Sequence, residues 1–197
     1  VLTSNEIFHL PELPKRILIA GGGYIANEFA GIFNALGSEV IVLNRGDRIL
    51  RGYDDQIADR LLQISTEKGI EFKFKDEIQS VVKKYDDILS VSLTSGETLE
   101  VDVLLVAAGR SPNSKNLGLE AAGVALDREG AIIVDDNWTS SVDSIFAVGD
   151  VTNRVQLTPV AIREGHAFAD NRFGGKSVGV EISKISSIPA RNNKDIG

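Results

Sequence analysis

The sequence predicts an α/β fold built on a parallel sheet, with an antiparallel β-meander in place of one crossover and a partial second segment of sheet and helix behind it. Two apolar runs, Arg16 to Ala20 and Glu39 to Leu43, flank a stretch of helical period, as in a βαβ unit whose sheet is covered on both faces. A glycine-rich turn joins the first run to that helix. From Glu71 to Val101 the pattern shortens to brief alternating strands parted by Asp86-Asp87 and Ser95-Gly96 turns.

Taken in order, residues 1–13 read as an irregular lead-in, because Pro11 and Pro14 stop any earlier helix before the first strand. The turn that follows, Gly21-Gly22-Gly23-Tyr24-Ile25-Ala26, has the form of a dinucleotide-binding loop and makes the fold Rossmann-like. Gly21 makes the tight turn, Gly23 lets the backbone approach a pyrophosphate, and Ala26 lets helix and strand pack closely. The helix over about 24–36 places Ile25, Phe29, Ile32, Phe33 and Leu36 on one stripe, and Gly37 supplies a left-handed stop. Its N-terminus turns a positive dipole end toward the phosphates.

The second strand ends in Asn44-Arg45, where an NAD site would carry an acid for the ribose hydroxyls. No acid is present. Arg45, Arg48 and Arg51 cluster there instead, the chemistry that holds the 2′-phosphate of NADP. Arg45 and Arg51 are the expected ligands, and Arg48 between them is expected to point to water. Asp54 caps a second helix with Ile57, Leu61, Leu62 and Ile64 facing inward, closed by Lys68-Gly69.

Strands are then expected at Glu71 to Phe74, Ile78 to Lys84, Ile88 to Thr94 and Glu97 to Val101, as the meander. Another buried strand, Val103 to Ala107, ends at Ala108-Gly109-Arg110-Ser111-Pro112-Asn113, where Gly109 permits close approach of a ligand to the sheet edge. Strands at Ala131 to Val134 and Ser144 to Val148 follow, the latter ending in Gly149-Asp150 and so placing a carboxylate at a sheet edge. Thr158 as cap and Pro159 at the first helical position open a helix through about Phe168. Residues 174–197 carry no readable motif.

With 197 residues, 43% hydrophobic and 25% charged, the chain has the composition of a soluble globular protein. A net charge of −7 argues against nucleic acid or an anionic membrane as partner, so the loop arginines form a local positive site on an acidic molecule. No apolar run approaches the ~20 residues of a membrane span. The opening residues, Val1 to Glu6, lack a basic start and an apolar signal core, and no Met begins them. Cysteine is absent, and His9 and His166 have no ligand-like spacing, so neither a thiolate nucleophile nor a metal site is expected.

Several of these motifs, in this order, resemble the FAD-dependent pyridine-nucleotide disulfide reductases. The resemblance rests on Gly21 through Gly31, on Arg45 through Asp54, on Ala108 through Asn113, and on Ala147 to Asp150 with Leu157 to Ala161. It runs to about Phe173 and is nearest to the branch that uses NADPH to reduce glutathione disulfide. It implies an NADPH-binding domain over 14–130, the return segment of an FAD-binding domain over 131–173, and an unassigned tail over 174–197. Tyr24 would gate the nicotinamide side of the flavin; an aromatic ring packed beside a helix start is the lesser alternative on the residues alone. Ile25 and Arg110 would line the nicotinamide end. Glu28 would pair with a flavin-side lysine, or is simply an exposed helix acid. Asp150 would bind the flavin ribityl chain, with Leu157 and Thr158 at the pyrimidine edge, where a helix N-terminus favours the negative charge of reduced flavin.

The family's first FAD-binding glycine fingerprint, its redox-active cysteine pair and its C-terminal interface domain have no counterpart in this sequence. The resemblance therefore implies a portion of a longer, homodimeric enzyme of the cytoplasm, or of an organelle stroma after removal of a transit peptide. Such a portion carries NADP(H) and part of an FAD site and no catalytic residue of its own, and is inactive in isolation. The branches that reduce trypanothione or thioredoxin, and a stand-alone NADP-binding module without catalysis, are the alternatives.

Overall fold

A computed structural model describes residues 1–180. Its described part divides at Gly109/Arg110 into two compact units. In the first, strands β1 (Arg16–Ala20), β2 (Glu39–Asn44), β3 (Glu71–Phe74) and β7 (Val103–Val106) form a parallel sheet in the order β3-β2-β1-β7. Helix α1 (Tyr24–Ala35) links β1 to β2, and α2 (Asp55–Glu67) links β2 to β3. The third connection is the meander β4 (Ile78–Lys83), β5 (Leu89–Leu93) and β6 (Thr98–Val101), an antiparallel sheet in that order.

The alternation of strand side chains explains why β1 is apolar throughout. Ile17 and Ile19 join Val40, Val42 and Leu105 against Ala26, Ala30 and Phe33 of α1. Leu18, with Ile41, Leu43 and Leu104, packs on Leu89, Val91, Leu93 and Val101 of the meander. The meander thus covers the second face of the parallel sheet, where a crossover helix would otherwise lie.

Several expectations are corrected. Glu71 to Phe74 pairs in parallel with β2 and belongs to the main sheet, not to the meander, because its Phe72 packs with the core on the α1 side. The buried face of α1 is Ala26, Ala30 and Phe33, whereas Ile32 and Leu36 of the expected stripe are exposed. Ala26 and Ala30 let the helix axis approach the sheet, and Phe33 of the expected stripe is buried beside them. Ile57 of α2 is exposed as well, and Ala58 takes the buried position. The lead-in is not wholly irregular: Leu2 bridges Leu105 in parallel, and a 3-10 turn at Glu6–His9 buries Ile7. Gly37 (φ 98°), the Asp54 cap accepting from the Ile57 amide, and Gly69 (φ 95°) stand where the sequence places them.

The second unit is described over 110–180. Its core is Val124, Ile132 and Ala147, with Leu119, Leu126 and Ile145 against them. The strands expected at 131–134 and 144–148 appear only as the single bridges Leu126↔Ile132 and Thr139↔Phe146, since neither segment keeps register with a neighbour for more than one pair. Residues 110–130, assigned with the first domain by sequence, share this second core, so by compactness the division falls at 109. Helix α3 (Thr158–Phe173) outlasts its expected end, and its cap is Leu157, not Thr158, which has become its first residue with Pro159 second. The sequence tail from 181 onward lies outside the described residues.

Candidate functional site

The site in the first unit begins where β1 leaves the sheet. Ala107 donates its N–H to the Ala20 carbonyl and Gly21 donates to Leu43, so the chain passes between the ends of β2 and β7, the switch point of the strand order. Gly21 holds φ 141°, and a Cβ there would lie 2.3 Å from the Ala107 carbonyl oxygen. No side chain fits. Gly23 is the cap residue of α1, and a Cβ on it would meet nothing within 4 Å. That helix start has no side-chain cap and no acid in its first turn, which leaves its amides to an anion. Asn27 fastens the turn from behind, its Nδ2 donating to the Gly22 carbonyl at 3.1 Å and the Gly23 carbonyl at 2.8 Å. Ala26 is fully buried, Tyr24 and Ile25 are half-buried beside the turn, and Glu28 is exposed.

The loop after β2 is docked on this turn. Leu50, at φ 50°, donates its N–H to the Gly22 carbonyl at 2.7 Å, and Ile49 is buried beneath. Asn44 turns its side chain into the loop: Nδ2 donates to the Arg48 carbonyl at 2.7 Å, and Oδ1 accepts from the Gly46 amide at 3.3 Å. Arg48 does not point to water. Its guanidinium pairs with Asp55 at 2.6 Å and Asp59 at 3.1 Å on α2, and these carboxylates, Asp55 first, raise its pKa further. Arg45 and Arg51 are exposed, and among the described residues neither has an ion-pair partner. One loop therefore presents two uncompensated guanidinium groups beside a glycine turn. Gly109 closes the far side of the sheet edge after β7 at φ 135°.

In the second unit, Arg110 lies 3.6 Å from Asp150, a half-exposed pair of small energetic weight. Asp150 sits in the 3-10 turn Gly149–Thr152. Gly149 takes φ 73°, and a Cβ on it would come 3.0 Å from the Cβ of Ala161. Its amide donates to Glu164 Oε2 at 2.8 Å, and its carbonyl accepts from Thr152 Oγ1 at 2.8 Å. Leu157 is half-buried and Thr158 exposed at the start of α3, which again has no side-chain cap and no first-turn acid.

Sequence reasoning passed over Asn27, Asn44 as a loop latch, and Glu164. Glu164 left a signal, being an acid on the same helical face as the buried Val160 and Ala167. Asn44 left only the missing acid. Among the described residues no cluster of His, Asp or Glu could hold a metal ion, and no helix is long and apolar enough to cross a membrane.

Residues 1–165 match the pyridine nucleotide-disulphide oxidoreductase family. The glutathione reductase of Burkholderia cepacia is 50% identical over 185 residues, which cover 94% of this chain and 41% of that protein. The trypanothione reductase of Trypanosoma congolense is 40% identical, covering 94% of this chain and 38% of that protein. Among solved structures, LpdA of Mycobacterium tuberculosis superposes with a TM-score of 0.86 at 27% identity, covering 94% of this chain and 40% of that one. The HOCl-induced flavoprotein disulfide reductase RclA of Escherichia coli gives 0.82 at 32% identity, over 90% and 40%. The chain spans about two fifths of the length of these relatives. With a family match over most of its length, the chain belongs to the pyridine nucleotide-disulphide oxidoreductases.

Proposed function

We propose that this chain is the NADPH-binding portion, with one wall of the flavin site, of an FAD-dependent reductase acting on glutathione disulfide. The observation that carries the reading is the loop after β2, with no acid at its strand end and with Arg45 and Arg51 free of ion-pair partners among the described residues. Those two guanidinium groups would hold the 2′-phosphate. The pyrophosphate would lie on Gly21, Gly23 and the start of α1, and Tyr24 and Ile25 would border the nicotinamide. Asp150 and the start of α3, with Leu157 and Thr158, would meet the flavin. When bound, NADPH supplies a hydride and FAD the means of relaying electrons to a disulfide. This chain's residues would bind and orient both.

Glutathione disulfide is preferred as substrate because the glutathione reductases are 45–50% identical and the trypanothione reductases 40–42%. Trypanothione disulfide is the second reading on the strength of those latter relatives. A 2′-phosphate held by two charge-assisted bonds of roughly 1.5–3 kcal/mol each favours NADPH over NADH by about 10²-fold or more. Titration of both coenzymes into the protein, wild type and with Arg45→Ala plus Arg51→Ala, tests this. Loss of the preference in the double variant is expected; equal affinity for the two coenzymes in the wild type would refute the coenzyme assignment.

A further inference from the structure

We propose that Asn44 and Arg48 are positioning residues for coenzyme selectivity: they hold the loop that presents Arg45 and Arg51, and neither touches the phosphate. The inference rests on the proposed NADPH reading and deepens it. The loop is braced at separate points. Asn44 spans it from Gly46 N to Arg48 O, Gly46 O accepts from Lys75 N at 3.0 Å, Leu50 N reaches Gly22 O, and Arg48 is drawn toward Asp55 and Asp59 of α2.

The identity of residue 44 is fixed by this geometry. A Cβ on Gly22 would fall 2.5 Å from Asn44 Nδ2, so the amide is packed against the glycine turn and is committed to the loop. An aspartate there would turn an oxygen on the Arg48 carbonyl, opening the latch as well as repelling a phosphate. Arg48 lies between the two ligand arginines in sequence, yet two carboxylates already compensate its charge. A loop left free would pay ordering entropy on binding, and the braces remove part of that cost.

The two roles open to Arg48 predict opposite signs when the clamp is cut. Asp55→Asn plus Asp59→Asn frees a positive charge beside the site. If Arg48 were a phosphate ligand, or if net charge alone governed binding, phosphate affinity would rise. If Arg48 positions the loop, it falls. The probes are adenosine 2′,5′-bisphosphate and adenosine 5′-monophosphate, which differ only in the 2′-phosphate, titrated calorimetrically into the wild-type chain, the double Asn variant, Arg48→Met, Arg48→Lys and Asn44→Leu, each checked by thermal melting.

The double Asn variant, Arg48→Met and Asn44→Leu should each weaken 2′,5′-bisphosphate binding by about fivefold, as loss of one or two modest interactions predicts. Binding of the monophosphate should be unchanged, and Arg48→Lys should recover part of the loss. Tighter bisphosphate binding in the double Asn variant, wild-type selectivity in the clamp variants, or equal loss for both nucleotides would each overturn the proposal. If Arg48→Met fails to fold, the double Asn variant and Arg48→Lys decide it. Clamp variants that match wild type while Arg45→Ala plus Arg51→Ala loses selectivity sink this inference alone; a double alanine variant without effect removes the proposed coenzyme site itself.

Discussion

At the scale of single residues, the site is made by close approach, and Gly21 is its most constrained member. Its φ of 141° is open to glycine, and the Ala107 carbonyl occupies the place of a side chain. Gly21→Ala is expected to cost about 2–4 kcal/mol, from backbone strain and a contact that neither backbone can relieve, read as a lower midpoint in urea unfolding. Gly23→Ala, with open space at its Cβ and φ −78°, should be nearly neutral for stability while weakening coenzyme binding. The strained Gly21, the buried Ala26 and the exposed Arg45 and Arg51 were legible in the sequence because local spacing places them; the coenzyme contacts given to them are proposals. Arg48 was misread, since its partners Asp55 and Asp59 lie across a turn in the next helix and spacing gives no sign of the fold-back. Glu164 was missed because Gly149, the group it satisfies, is remote in sequence.

Among the elements, the departure from a plain βαβ repeat is the meander, and its attachment depends on Asp76. That carboxylate accepts from the Ser95 amide at 3.0 Å, Thr94 Oγ1 at 2.7 Å and the Glu77 amide at 2.9 Å, joining the entry of β4 to the β5–β6 turn. The bonds from Ser95 and Thr94 lower its pKa from 3.8 to about 2. Because the folded value is depressed, its contribution to stability is complete above about pH 4 and is lost as pH falls through about 2. Asp76→Ala should therefore melt below wild type by a margin that is constant from neutral pH down to about pH 4 and closes toward pH 2. A margin independent of pH would contradict the assignment. Lys73 adds a second tie, bonding Glu71 and Glu97 at 2.9 Å each. Strands β1, β2 and β7 of the main sheet were legible as apolar runs because both their faces are covered. The sheet to which Glu71 to Phe74 belongs was not, since alternation fixes a strand but not its partner. The buried face of α1 was legible only in part: Phe33 is buried and Phe29 packs on the core as expected, whereas Ile32 and Leu36 are exposed and close helix–sheet packing selects Ala26 and Ala30.

For the whole molecule, an acidic chain of net charge −7 presents at one loop two arginines that have no ion-pair partner among the described residues. The chain carries no cysteine and matches about two fifths of the length of several disulfide reductases. The order of motifs made that family legible, whereas the compact division at 109 was not, because residues 110–130 reveal their allegiance only through the core they share with Ile132 and Ala147. If Arg45 and Arg51 grip a 2′-phosphate, phosphorus NMR of NADP⁺ bound to this chain reads that group directly. The second ionisation of a phosphate monoester lies near ~6, and two adjacent guanidinium groups favour the dianion. The 2′-phosphate resonance should stay in its dianionic position well below pH 6 in the wild type and return to the free titration in the Arg45→Ala, Arg51→Ala variant; a bound 2′-phosphate that titrates like the free coenzyme in the wild type would contradict the account.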